Sequence, residues 1–172
     1  MGIGDLPVIV LGIDPGLANT GYAVVRRAGS RTEVLAHGTL RTAPSTPTEQ
    51  RLLALHEGLA GVIGETGAHE AAIEAFFVHP VSTSAMGMAA ARGALLVSCA
   101  RSGLPVSEYT PTAIKQAVTG SGRAGKDQVR AMVARLTGVE AGTDHAADAI
   151  AAAICHCASG PLREAIRIRG RR

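Results

Sequence analysis

The start of the chain alternates apolar stretches with short polar links. A continuous apolar run from Val8 to Ile13 lies within the stretch 7–14, and shorter apolar stretches lie within 22–27 and 33–40. A continuous run is typical of a strand buried on both faces, and short links favour antiparallel neighbours. The pattern predicts three strands in an antiparallel meander, with a turn directly after the first strand.

Helical spacing dominates the rest of the chain, with two more strands set between helices. Short apolar stretches over 70–76 and 105–109 predict these strands. Strands that are joined through crossover helices run parallel. The order therefore predicts an α/β fold, a mixed five-stranded sheet flanked by helices. The helices are predicted from 48 and from 110 onward, and over 82–101, 126–136 and 144–158.

The composition fits a single packed domain. The 172 residues are 47% hydrophobic and 18% charged, which excludes a disordered chain. We assign 1–159 to one folded domain and 160–172, where arginines crowd, to a basic, mobile tail. A net charge of +3 permits nucleic-acid binding without showing it. With no membrane-length apolar stretch and no signal-peptide pattern, we expect a cytoplasmic protein with reduced cysteines.

Two carboxylates interrupt the apolar strands. Asp14 ends the first predicted strand, where it either caps the turn or meets a ligand at the carboxyl edge of the sheet. Glu74 stands inside an apolar segment, where a carboxylate is unfavourable unless it is paired, bound to a metal or exposed on an edge strand. If their strands are parallel neighbours, Asp14 and Glu74 face each other across the sheet.

The last predicted helix carries a histidine and two acids near its start. His145 and Asp148 share one helix face and can reach one metal ion, while Asp144 either replaces His145 as a ligand or caps the helix. Three carboxylates and a histidine are what a two-metal phosphodiesterase needs, because two ions about 4 Å apart hold the attacking water and the leaving oxygen. Such donors suit Mg²⁺ or Mn²⁺.

Several motifs between residues 8 and 157 follow one another at a recognisable spacing. In chain order they are GIDPG at 12–16 with TGY at 20–22, IEAFF at 73–77, KQ at 115–116, GSGRAGKDQV at 120–129 and HAADA at 145–149. Each motif alone is weak, but the ordered set is specific. Together they resemble the RuvC family of Holliday-junction resolvases.

The resemblance implies a fold, an activity and a site. The fold is ribonuclease H-like, the protein is a homodimer, and it makes paired symmetric cuts in a four-way DNA junction, with a branch-migration motor complex as partner. The resemblance also implies that the helix over 82–101, which is rich in small residues, forms the dimer contact. The metal-binding residues that it implies are Asp14, Glu74, His145 and Asp148.

Further residues are expected to contact DNA. Phe77 falls where the family places an aromatic wedge against bases at the crossover, and alternation along a strand allows one of Phe76 and Phe77 to be exposed. The family's polar and basic residues are missing over 78–81, which makes contacts from that loop doubtful. Backbone phosphates are expected to meet Lys115, Arg123 and Lys126.

Five alternatives remain open at this stage. The segment 120–127 nearly forms a nucleotide-binding P-loop, but Asp127 replaces its Ser/Thr and no strong strand precedes it. The turn after Asp14 resembles the phosphate loop of actin-like sugar kinases, which need two such domains. A nuclease of the same fold that acts on RNA or RNA–DNA hybrids, or a non-catalytic binding relative, is also possible. The run Cys155-His156-Cys157 suggests zinc, but side chains two apart on a helix diverge.

Overall fold

The computed structural model describes residues 7–75 and 82–169, the last part (161–169) by its backbone alone. A five-stranded sheet has the order β3-β2-β1-β4-β5. The first three strands pair antiparallel, and the pairs β1–β4 and β4–β5 are parallel, so the predicted mixed sheet is confirmed. The strands are β1 Val8–Asp14, β2 Asn19–Ala28, β3 Arg31–Arg41, β4 Glu70–Glu74 and β5 Val106–Tyr109.

Five helices in the described residues cover the two faces of the sheet. The predicted start at Thr110 is confirmed, since its hydroxyl caps the helix by accepting from the Ala113 N–H at 3.1 Å. The last helix continues to Arg169, beyond the predicted end at 158. No described helix has the length and apolarity to cross a membrane. The helices are α1 Thr48–Thr66, α2 Thr83–Arg101, α3 Pro111–Thr119, α4 Lys126–Thr137 and α5 Asp144–Arg169.

The sheet separates two hydrophobic cores. Leu11 and Ile13 of β1 pack toward α1 and α2, whereas Val10 packs toward α5 with helices α3 and α4 beside it. All three side chains are fully buried. This arrangement explains the continuous apolar run in β1, because a central strand that is covered on both faces has no polar side.

Two glycines let α5 lie directly against the sheet. A Cβ atom at Gly12 would lie 1.9 Å from the carbonyl oxygen of Ala149, and one at Gly21 would lie 1.9 Å from that of His145. Any larger residue at either position would push the helix away. Because Gly21 pairs with Asp14 across β1 and β2, the start of α5 is seated beside the end of β1.

Candidate active site

The two predicted strand carboxylates lie at the ends of neighbouring parallel strands. Ile13 of β1 pairs with Ile73 of β4, so Asp14 and Glu74 follow side by side at the carboxyl edge of the sheet. Alternation places both on the face that α5 covers, together with Val10. The expected parallel neighbourhood of the two acids is therefore confirmed.

Helix α5 brings His145 onto Asp14. The His145 Nδ1 atom lies 2.7 Å from the Asp14 Oδ2 atom, and the Asp14 side chain is only 20% exposed. Burial raises the pKa of the Asp14 carboxyl, the hydrogen bond from His145 lowers it, and the negative charge of Asp148 raises it further. Burial is the largest of these effects, and it holds the pKa of Asp14 above its ordinary value.

Asp148 lies one helical turn beyond His145 and meets a lysine. The Lys126 Nζ atom is 3.6 Å from an Asp148 oxygen and 3.2 Å from an Asp144 oxygen. Burial raises the pKa of Asp148, and the positive charge of Lys126 opposes that rise. The hydrogen bond to Asp144 is the main cause of a raised pKa for Lys126. Lys126 thus partly neutralises the acids at the start of α5.

Glu74 completes a cluster of mutually repelling carboxyls. Burial raises its pKa first, and the charges of Asp14 and Asp148 raise it further, against smaller opposite effects of Lys115 and Lys126. Three carboxyl groups with raised pKa values in one place resist being ionised together. A bound cation would relieve that repulsion.

An open cleft of about 250 Å³ runs along this cluster. The carboxyls of Glu74 and Asp148 lie on it together with the two lysines Lys115 and Lys126. Apolar side chains from α3, α4 and α5 form the rest of its wall. Acids and amines sharing one cleft suit a ligand that presents both cations and phosphate oxygens.

The donor set fits a hard divalent cation in its chemistry, since carboxylate oxygens are the ligands that Mg²⁺ and Mn²⁺ prefer. As the side chains stand, however, no three His, Cys, Asp or Glu residues in the described part of the chain form a metal site. His145 pairs with Asp14, and Lys126 pairs with Asp148. These pairings hold the negative charge that an ion would otherwise neutralise.

Asp144 is not the helix cap, one of the two roles that the sequence left open for it. The Thr143 hydroxyl accepts from the Ala146 N–H at 3.1 Å, so Thr143 is the cap and Asp144 is the first helical residue. Asp144 instead pairs with Lys126 and, at 3.3 Å, with Arg130. The cap assignment for Asp144 is wrong because the helix begins one residue earlier than a cap at 144 requires.

The residues expected to contact DNA are spread over two clefts. Lys115 and Lys126 line the cleft of the acids, whereas Arg123 lines a second cleft of about 440 Å³ beside α4, with Arg135 on its wall. The segment 120–125 joins α3 to α4. A P-loop follows a strand, whereas this segment follows a helix, so the structure argues against a P-loop here. Phe76, Phe77 and the loop 78–81 lie outside the described residues.

The contacts of His156 are with protein side chains, which argues against the zinc alternative. Its Nδ1 atom is 2.9 Å from the Tyr109 hydroxyl, and its Nε2 atom contacts a carboxylate oxygen of Glu70. The ring is 1% exposed, and both of its nitrogens are engaged by these two side chains. The Cys155-His156-Cys157 run therefore reflects a buried histidine between a buried cysteine and a partly buried one.

Sequence reasoning missed one residue next to the site, Arg92 of α2. Its Nη1 atom donates to the carbonyl oxygen of Glu74 at 3.1 Å, and its Nη2 atom pairs with Glu108. The sequence did contain a sign of this role, since Arg92 is the one charged residue in the otherwise small and apolar stretch 84–97 of α2. An arginine there needs buried partners.

The sheet order, the acids at the ends of two central parallel strands and the last helix laid across them define a ribonuclease H-like protein. Residues 10–156 match the family described as Crossover junction endodeoxyribonuclease RuvC. The chain belongs to this RuvC family.

Relatives and solved structures agree with this assignment. RuvC from Paramagnetospirillum magneticum is 45% identical over 148 residues, which cover 86% of this chain and 89% of the relative. RuvC from Halorhodospira halophila is 45% identical over 159 residues, covering 91% and 95%. The structure of T. thermophilus RuvC in complex with Holliday junction substrate matches with a TM-score of 0.84 at 30% identity, over 90% of this chain and 96% of that one. The yeast mitochondrial Holliday junction resolvase shares the fold, with a TM-score of 0.59 at 13% identity, over 87% and 78%.

Proposed function

We propose that this protein is a metal-dependent endodeoxyribonuclease that resolves four-way DNA junctions by paired symmetric nicks, in recombination and repair. The observation that carries the proposal is the meeting of β1, β4 and α5. Asp14 follows β1 beside Glu74 of β4 and contacts His145 of α5, while Glu74 and Asp148 line one cleft. Membership of the RuvC family supports it, as does a related structure that holds a Holliday junction.

The four residues are proposed to bind two ions of Mg²⁺ or Mn²⁺. When bound, such ions would activate a water molecule and stabilise the leaving oxygen of an in-line displacement. The protein's own part is to place the carboxylates. The Nδ1 atom of His145 lies 2.7 Å from Asp14 and can orient its carboxylate. When Nδ1 carries the proton and donates a hydrogen bond to Asp14, the Nε2 atom has the lone pair that a metal ion would bind. The products are a 5′ phosphate and a 3′ hydroxyl, which a ligase can seal.

The basic residues are proposed to hold the phosphate backbone. The Lys126 amine lies 3.6 Å from an Asp148 oxygen, and Lys115 lies on the same cleft. Both can therefore meet the scissile strand at the acids, whereas Arg123 would meet a neighbouring stretch of backbone beside α4. We propose that Phe77 stacks on a base at the crossover, as the family resemblance implies.

A homodimer is proposed to supply the two active sites that paired nicks need. Met86 and Val97 of α2 are 64% and 52% exposed, which suits a partner helix on this face. A branch-migration motor complex is the further proposed partner, and we propose that the protein works in the cytoplasm. The nuclease domain is proposed to span 1–159, which the family match over 10–156 supports, with 160–172 as a basic tail.

A single incubation series tests the substrate class. The protein is mixed with a synthetic four-way junction, with linear duplex of the same sequence and with an RNA–DNA hybrid, each with Mg²⁺, Mn²⁺ or EDTA. The proposal predicts symmetric nicks in the two opposed junction strands, with metal only, and intact duplex and hybrid. Cutting of the hybrid in preference to the junction would assign the fold to the RNA-directed alternative, and no cutting at all would favour a binding protein.

A further inference from the structure

Arg92 is a nearly buried arginine that joins three elements of the fold. It belongs to α2, and its side chain is 13% exposed. The Nη1 atom donates to the carbonyl oxygen of Glu74 at 3.1 Å, while Nη2 pairs with a carboxylate oxygen of Glu108 on β5 at 2.5 Å. One guanidinium thus ties α2 to the end of β4 and to β5.

The bonded carbonyl is that of the proposed catalytic glutamate itself. β4 ends at Glu74, and the next N–H, of Ala75, donates to the carbonyl oxygen of Tyr109 at 2.8 Å. The backbone on the two sides of this residue is therefore held from α2 and from β5. A part-buried strand end needs such partners, and the planar fork of arginine can serve a carbonyl and a carboxylate together.

Arg92 acts from the opposite side of the sheet to the cleft. Its neighbours Ala91 and Leu95 are fully buried in the core between the sheet and helices α1 and α2. The Glu74 carboxyl, in contrast, lines the cleft together with Asp148 of α5. Any effect of Arg92 on that carboxyl must pass through the backbone of residue 74.

We propose that Arg92 is a positioning residue, which fixes the backbone of Glu74 so that its carboxylate stands beside Asp14 ready to bind a divalent cation. The inference rests on the proposed function, because it assigns a task to Glu74. Groups that orient metal ligands typically change metal affinity or activity by about 10- to 100-fold when removed. The same range is expected here, without loss of DNA binding.

Three variants separate this role from a purely structural one. Arg92→Met keeps the apolar stem and removes every donor. Arg92→Lys keeps the positive charge, but its single amine can contact either the Glu74 carbonyl or the Glu108 carboxylate and cannot span both as the guanidinium does. Glu108→Gln removes the ion pair and leaves the bond to the Glu74 carbonyl. The matched control is Arg101→Met, which changes an exposed arginine in the last turn of the same helix.

Mn²⁺ affinity is measured by electron paramagnetic resonance, beside junction binding in EDTA, thermal unfolding and the junction-cleavage kcat and KM. For Arg92→Met we expect Mn²⁺ affinity and kcat to fall about tenfold or more, with unchanged KM and unchanged junction binding in EDTA. For Arg92→Lys we expect Mn²⁺ affinity and kcat between those of Arg92→Met and wild type. For Glu108→Gln and Arg101→Met both quantities should stay within about threefold of wild type.

Wild-type Mn²⁺ affinity in folded Arg92→Met would overturn the inference, as would equal losses of metal binding and of junction binding in EDTA. If Arg92→Met does not fold, Arg92→Lys decides: wild-type affinity overturns the inference, and a clear loss supports it. The proposed function fails separately, if the wild-type protein does not cut junctions. A wild-type enzyme that cuts, with an Arg92→Met variant that cuts equally well, removes only the role of Arg92.

Discussion

The imidazole of His145 lies 2.7 Å from the carboxylate of Asp14, although 131 positions separate the two residues along the chain. The contact depends on the backbone beneath it. Gly21 pairs with Asp14 in the sheet and leaves no atom where the carbonyl of His145 must lie. The site is therefore assembled by the close approach of α5 to β1 and β2.

Gly21→Ala tests that approach. The added Cβ atom would lie 1.9 Å from the His145 carbonyl oxygen, which is helix backbone and cannot rotate away. We expect the free energy of unfolding to fall by about 1–3 kcal/mol and cleavage to fall with the displaced His145. Chemical denaturation and junction-cleavage assays measure the two effects.

The control is Gly61→Ala in α1, an exposed position where a Cβ atom meets nothing within 4 Å. Alanine there should raise the free energy of unfolding by about 0.5–1 kcal/mol, since glycine is unfavourable inside a helix. Equal stability and equal activity of the two variants would show that α5 is not seated on Gly21.

His145 should influence both the rate and the choice of metal. His145→Ala removes the partner of Asp14 and a nitrogen donor, and we expect junction cleavage to fall at least tenfold in either metal. His145→Asp supplies an oxygen donor in place of the nitrogen and should move the preference from Mn²⁺ toward Mg²⁺, because imidazole favours the softer ion. Full activity of His145→Ala in both metals would remove His145 from the mechanism.

The contribution of Glu74 to the stability of the metal-free protein should fall as pH rises. Burial and the neighbouring acids raise the pKa of Glu74 above its ordinary value of 4.5, so the folded state binds this proton more tightly than the unfolded state. The stabilisation that Glu74 contributes to the folded state is therefore present below pH 4.5 and is lost as pH rises through the raised pKa. Glu74→Gln should remove that dependence and raise the melting temperature at pH 7 in EDTA.

Thermal unfolding of wild type and Glu74→Gln in EDTA, at a series of pH values from 4 to 8, checks the sign. The melting temperature of Glu74→Gln should rise relative to that of wild type as pH rises. Added Mn²⁺ should raise the melting temperature of wild type more than that of the variant, since binding to the folded state alone stabilises it. A variant that is less stable than wild type throughout would show that burial is not the dominant effect on this carboxyl.

Lys126 should supply electrostatic affinity for DNA. Its side chain is 59% exposed and lines the cleft near the acids. Lys126→Met should weaken junction binding evenly across sequences and lower the slope of log affinity against log salt by about one. Binding titrations at several salt concentrations give the slope. An unchanged slope would mean that Lys126 serves only its pairs with Asp144 and Asp148.

Much of this architecture was accessible from the pattern of residues. The continuous apolar run of β1 marks a strand covered on both faces, and the spacing of His145 and Asp148 marks one helix face. Both follow from local periodicity. The parallel pairing that brings Asp14 beside Glu74 follows from the crossover rule for strands joined by helices.

Other features depend on contacts that no local pattern encodes. Arg92 binds a main-chain carbonyl, and a carbonyl is present at every residue, so the sequence cannot mark this partner. The role of Gly21 depends on a helix far along the chain. Asp144 resembled a cap in composition, but the exact start of a helix is decided by backbone geometry, which here selects Thr143.

The most direct measurement compares binding and cutting by Asp14→Asn. The variant keeps the shape of the side chain and can still accept from His145, but it removes a charge that the proposed ions need. In Mg²⁺ or Mn²⁺ it should bind a four-way junction with wild-type affinity and leave both strands intact, while the wild-type protein nicks them symmetrically. Junction cutting by Asp14→Asn at a rate near that of wild type would contradict the proposed metal site.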